Sequence, residues 1–164
     1  MSGSIKQARR QLERLVPSPW DLSMFIDRVA QHRSRPIHLV DVDFSVEGGI
    51  SGAWKPTSRR DIVFVASSAT GLRRLAVVCH EISHMWLNHT PEDLGFVGED
   101  GLETVIPALL EASPELARKF VRLRHDYDSG AEADAEYLAT RVMSAIGTNL
   151  PQGRAHQVAN SLHW

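Results

Sequence analysis

The feature that most narrows the possible folds is a pentapeptide, His80-Glu81-Ile82-Ser83-His84, set inside an apolar helical run. Val77, Val78 and Cys79 lead into it, Met85, Trp86 and Leu87 lead out, and no breaker intervenes between Gly71 and Pro91. The pattern predicts one helix of roughly 18 residues. Residues four apart on a helix lie one above the other on the same face. His80 and His84 therefore aim two imidazoles at one point, the spacing with which two nitrogens grip a tetrahedral metal ion. Glu81 lies about 100° round the helix, within reach of a water at that ion as general base. A chain with such a helix must cover its apolar back and leave the histidine face approachable. Given 8 His in 164 residues, the string arises by chance in about 2% of such chains. The bland alternative is a half-buried helix with two satisfied histidines.

Two histidines do not complete a site, because a catalytic zinc takes three protein ligands and keeps a fourth position open. The best source of a third is Ser129–Ala139, which opens a second helix running to about Ile146. Glu132 and Glu136 are four apart and face one way, while Asp134 is turned about 200° from Glu132, toward solvent. Glu132 is read as the metal ligand. Glu136 is read as the acceptor of a ligating histidine's outer N–H, which fixes its tautomer; the reverse assignment stays open. Glu132 also has a purely local reading, since Ser129-x-x-Glu132 is a capping box and acids suit a first helical turn. His125, Asp126 and Asp128 are rivals on the preceding loop, where solvated residues are the ordinary expectation.

Other stretches extend the pattern. Phe25-Ile26-Asp27-Arg28 precedes Arg35-Pro36-Ile37-His38-Leu39; Gly52-Ala53-Trp54 and Asp61-Ile62-Val63-Phe64-Val65 follow. After the pentapeptide come Asn88-His89, then Tyr127 and Glu132-Ala133-Asp134-Ala135-Glu136-Tyr137-Leu138-Ala139. Over Trp20 to Ile146 the chain resembles the ImmA/IrrE-like family of HExxH zinc metallopeptidases, in particular the short actinobacterial type. The resemblance implies that His80, His84 and Glu132 hold one Zn²⁺ and that Glu81 is the base. Two features depart from the family pattern: Asp134 stands where a Glu is usual, and about 47 residues lie between His84 and Glu132. The resemblance also implies the biology, because such proteases cleave helix-turn-helix repressors and so switch on mobile-element, stress or toxin–antitoxin operons. The expected partner is one specific protein, a helix-turn-helix transcription repressor.

Composition agrees with an ordinary globular domain. At 164 residues one domain is expected, and a chain of this size buries roughly 70% of its surface on folding. The 43% apolar and 23% charged content is typical of soluble domains. A net charge of −2 carries no electrostatic footprint for direct nucleic-acid binding. The single cysteine, Cys79, fits a reducing compartment and reads as a small buried hydrophobe. No apolar run reaches a membrane span and the N-terminus lacks a signal peptide's apolar region, so the expected location is cytoplasmic.

Periodicity outlines the fold. Ile5–Val16 and a segment to about His32 read as amphipathic helices, the second with Ser18 at N-cap, Pro19 at N1 and Asp21 at N3. Ile37–Val42, Ile50–Trp54 and Ile62–Ala66 read as strands. Short links between them suggest an antiparallel sheet. The expected architecture is a single α+β, zincin-like domain over 1–164, with its core at about 20–146. A small antiparallel sheet of about three strands packs against the HExxH helix and a Glu-bearing helix, with extra N-terminal and C-terminal helices. Residues 90–128 form an irregular and helical cover over the site mouth, and 151–164 a tail. The expected reaction is peptide-bond hydrolysis, with Tyr127, His125 or His89 as oxyanion donor and substrate laid along Ile62–Ala66 by β-augmentation. Two other classes compete: a non-proteolytic module of the same fold that docks a transcription factor, and a structural zinc site closed by a fourth ligand such as His125.

Overall fold

The computed structural model describes residues 3–42, 51–89 and 129–148. The elements are α1 (Gly3–Leu15), α2 (Leu22–Arg33), β1 (Ile37–Val42), β2 (Gly52–Pro56), β3 (Asp61–Ala66), α3 (Gly71–Trp86) and α4 (Ser129–Thr148). They make an α+β arrangement of four helices and one three-stranded sheet. The predicted cover over 90–128, with His125 and Tyr127, and the tail over 151–164 lie outside the described residues. Among the described residues no helix is long and apolar enough to cross a membrane.

The start of α2 differs from its predicted cap. The helix begins at Leu22, with Asp21 as N-cap in extended conformation (φ −149°, ψ 125°) and its carboxylate accepting the Met24 N–H at 2.7 Å. A carboxylate there satisfies an orphan donor and meets the positive end of the helix dipole, which a serine hydroxyl farther back does not. At the other end Ser34 turns left-handed (φ 54°) and returns its N–H to the carbonyls of Ala30 and Gln31, stopping the helix before Pro36.

The sheet order is β1-β3-β2. β1 runs parallel to β3, with Ile37 opposite Asp61 and Val42 opposite Ala66. β2 runs antiparallel to β3, with Gly52 opposite Val65 and Pro56 opposite Asp61. The sheet is therefore mixed and not antiparallel throughout. β2 and β3 form a hairpin across residues 57–60, but β1 does not pair with its sequence neighbour β2. Two chain reversals return β3 alongside β1 and seat it in the middle.

That position explains why all six residues of β3 are buried. Val63 and Val65 face the main core, while Ile62 and Phe64 pack with Ala53, Val40 and Val42 on the other face. It also removes Ile62–Ala66 as a peptide-docking edge, because both sides of β3 are already hydrogen-bonded to neighbours.

The main core is built around α3. Val77, Val78, Cys79, Ile82 and Met85 share one core with Trp54, Val63 and Val65 of the sheet, Leu138, Val142 and Ile146 of α4, and Leu12, Phe25 and Val29 of α1 and α2. Burying each such aliphatic side chain contributes about 1.5–3 kcal/mol. Ser83 is buried within this surround, and its hydroxyl donates to the Cys79 carbonyl at 2.7 Å, the usual solution for a serine inside a covered helix.

α3 ends at Trp86, short of the predicted stop at Pro91, because Asn88 adopts a left-handed conformation (φ 54°). Arg33 fixes this end: its Nη1 donates to the Met85 carbonyl at 2.8 Å and to Asn88 Oδ1 at 3.4 Å. A cation there also complements the negative end of the helix dipole. The same guanidinium reaches Asp61 Oδ2 through Nε and Nη2, both at 3.3 Å. Asp61 is fully buried and is met as well by Arg35 Nε at 3.4 Å and Trp54 Nε1 at 3.3 Å. One carboxylate thus ties the end of α2, the start of β3 and, through Arg33, the end of α3.

Candidate metal centre

Helical spacing brings His80 and His84 together, and the packing of α4 on α3 brings Glu132 to them. His80 Nε2 and His84 Nε2 are 3.0 Å apart. Glu132 Oε2 lies 3.5 Å from His80 Nε2, and Glu132 Oε1 lies 3.3 Å from His84 Nε2. The three residues form a group that could hold a metal ion. Ligands bound at 2.0–2.1 Å to one tetrahedral ion lie about 3.3 Å from each other, and the observed separations scatter about that value. The donor set of two imidazoles and a carboxylate suits a divalent cation of intermediate softness.

The outer nitrogens of both rings are also met. A histidine that offers Nε2 to a cation carries its proton on Nδ1. His80 Nδ1 lies 3.3 Å from Glu136 Oε2, one helical turn beyond Glu132. His84 Nδ1 lies 3.2 Å from His89 Nδ1. Burial lowers the His89 pKa, opposed by the negative charges of Asp134 and Glu132. Neutral His89 is the form whose Nδ1 can accept the His84 proton. His84 itself is 1% exposed, so its ring is held by packing as well as by this contact.

Glu81 is 6% exposed. It projects from α3 toward β2, where its carboxylate lies against the backbone of Gly52. Lone glycines inside strands mark close approaches of backbone or ligand, and this one lies where β2 passes over α3. Burial also raises the neighbouring Cys79 thiol from 9.0 to about 12, so at neutral pH it keeps its proton and offers the site neither ligand nor nucleophile.

The structure thus gathers His80, His84, Glu132 and Glu136 at one place, with Glu81 on the adjoining face of α3. His89 stands behind His84, on the nitrogen that turns away from the group, and not across the site as an oxyanion donor would. Asp134 is exposed on α4. Sequence reasoning did not find the approach of Gly52 to Glu81 or the Arg33–Asp61 anchor. The one sequence signal that bears on the first is a glycine within a strand pattern. The second carries no local signal, since its partners lie 28 residues apart.

Comparison of the chain with known family models, curated proteins and solved structures finds no match.

Proposed function

We propose that the chain is a zinc-dependent, zincin-like metallopeptidase of the ImmA/IrrE kind. Its substrate is one specific cytoplasmic protein, a helix-turn-helix repressor. The observation that carries this reading is the convergence of His80 Nε2, His84 Nε2 and Glu132 within 3.0–3.5 Å of one another, with a buried carboxylate, Glu81, on the same helix.

His80, His84 and Glu132 would hold the ion, and Glu136 and His89 would fix the two imidazoles by their outer nitrogens. Bound there, Zn²⁺ supplies Lewis acidity, polarising a peptide carbonyl and lowering the pKa of a water. Glu81 takes the proton from the attacking water and delivers it to the leaving amine. Its burial between α3 and β2 restricts the carboxylate to a narrow range of positions, which favours proton transfer in a defined direction. Of the two outer strands of the described sheet, β2 is the one in contact with Glu81, so an extended substrate segment is best aligned along it.

Among the described residues His89 faces His84 Nδ1 and not its Nε2, so His89 is not a fourth ligand on the inner side of the group.

The test is a comparison of wild type with Glu81→Gln. Both are analysed for zinc and incubated with the repressor encoded beside the chain, and products are read by mass spectrometry. A protease shows one zinc in both forms, with a single cut made by the wild type and lost in the variant. Stable repressor binding without a cut in either form overturns the hydrolase reading in favour of a docking module.

A further inference from the structure

We infer that Gly52 is a positioning residue for Glu81, an inference that rests on the metallopeptidase reading for its catalytic consequence. Gly52 opens β2 opposite Val65, at the point where the strand crosses the face of α3 that carries Val77 and Glu81. These two are four apart and so share that face. A Cβ built on Gly52 would stand 3.0 Å from Glu81 Oε1, 3.1 Å from Glu81 Cγ, and closer still to Val77 Cγ1. The space of the absent side chain is thus shared by a Val77 methyl and by the Glu81 carboxylate and its stem. Backbone conformation does not require the glycine, whose φ lies outside the left-handed range. Contact with the two α3 side chains does.

The two contacts differ in kind. Val77 is β-branched and in a helix holds essentially one χ1 rotamer, so it cannot swing aside, and a methyl at position 52 must push strand from helix. Glu81 is unbranched, so a methyl beside it is relieved by a shift of its side chain of a few tenths of an ångström within its confined position, and strand and helix need not part. Removing the Val77 branch therefore separates a packing role of Gly52 from a positioning role. Functional groups must be held within about 0.5 Å of productive geometry, and a misplacement of 1 Å costs about a hundredfold in rate. A displacement of a few tenths of an ångström, enough to restore ordinary contact, should reduce turnover about tenfold.

The experiment compares Gly52→Ala, Val77→Ala and the double variant, each zinc-loaded, by thermal denaturation, metal content, crystallography and cleavage of the repressor. Gly52→Ala alone is expected to lower Tm. The double variant is expected to match Val77→Ala in Tm and to keep one zinc. Relative to Val77→Ala its Glu81 carboxylate is expected to be displaced and its cleavage rate reduced about tenfold. A double variant whose Glu81 superposes on that of Val77→Ala, or whose cleavage recovers together with Tm, overturns the inference and leaves Gly52 a packing residue. A wild type that cuts nothing overturns the metallopeptidase reading instead, and the crystallographic comparison still decides whether Gly52 sets the carboxylate.

Discussion

Replacing Glu136 by alanine probes the support of the site without touching the three residues proposed to hold the metal. In the structure Glu136 Oε2 lies 3.3 Å from His80 Nδ1, and its side chain is 72% exposed against 26% for His80. Carboxylates that hold a ligating histidine by its outer N–H are worth about 10- to 100-fold in metal affinity. Exposed ion pairs are worth only about 0.2–1 kcal/mol, because water and salt screen them. The long contact and the exposure place Glu136 at the lower end. A loss of about five- to tenfold in zinc affinity, roughly 1–1.4 kcal/mol, is expected for Glu136→Ala. Glu136→Gln keeps an acceptor and loses the charge, so it should lose less, and the difference between the two should shrink as salt is added. Asp134→Ala removes a like charge from the same helix but from a residue without that contact, and should stay within about twofold of wild type. The assay is competition for Zn²⁺ against a chromophoric chelator at neutral pH, with circular dichroism confirming the fold. Equal affinities for wild type and Glu136→Ala would refute the assignment, as would equal losses for Glu136→Ala and Asp134→Ala.

Two further outcomes are expected. Asp61→Ala removes a fully buried carboxylate from between two guanidinium groups; stranding buried charges costs about 3–5 kcal/mol, and with Arg35 32% exposed a loss of about 3 kcal/mol, or roughly 6–12 °C in Tm, is expected. Thermal denaturation checks it, and a drop below about 3 °C would contradict the anchoring role. Cys79 should be inert to a thiol reagent in the folded protein and titrate as one thiol in denaturant. Because burial raises it from 9.0 to about 12, the unfolded chain loses this proton first as pH rises. Stability contributed below pH 9 is then lost between pH 9 and 12, at roughly 1.4 kcal/mol per pH unit. Denaturant titrations of Cys79→Ala should show a flatter alkaline limb.

The parts of the site that could be read in advance are those governed by short-range helical geometry. His80 with His84, and Glu132 with Glu136, are i, i+4 pairs whose shared faces follow from 3.6 residues per turn. The capping-box reading of Ser129 and Glu132 is local too, and local chemistry alone could not choose between a cap and a ligand. The contact of α4 with α3 adds what local chemistry lacks, bringing Glu132 within 3.5 Å of both rings, where the three residues could hold a metal ion. His89 shows the converse. Its place in the sequence suggested a group facing the site, but the left-handed Asn88 turns the chain so that His89 lies behind His84.

By itself the sequence determined, among the described residues, the four helices and three strands as segments, the shared face of His80 and His84 and that of Glu132 and Glu136, because each depends on a repeat of two or 3.6 residues along one stretch of chain. Tertiary structure alone decided that the sheet is mixed with β3 at its centre, that Asp61 joins Arg33 and Arg35, and that β2 lies against Glu81 at Gly52. Those outcomes depend on which distant segments meet when loops close, and closure is governed by the burial of the whole core, to which no single stretch of residues holds the key.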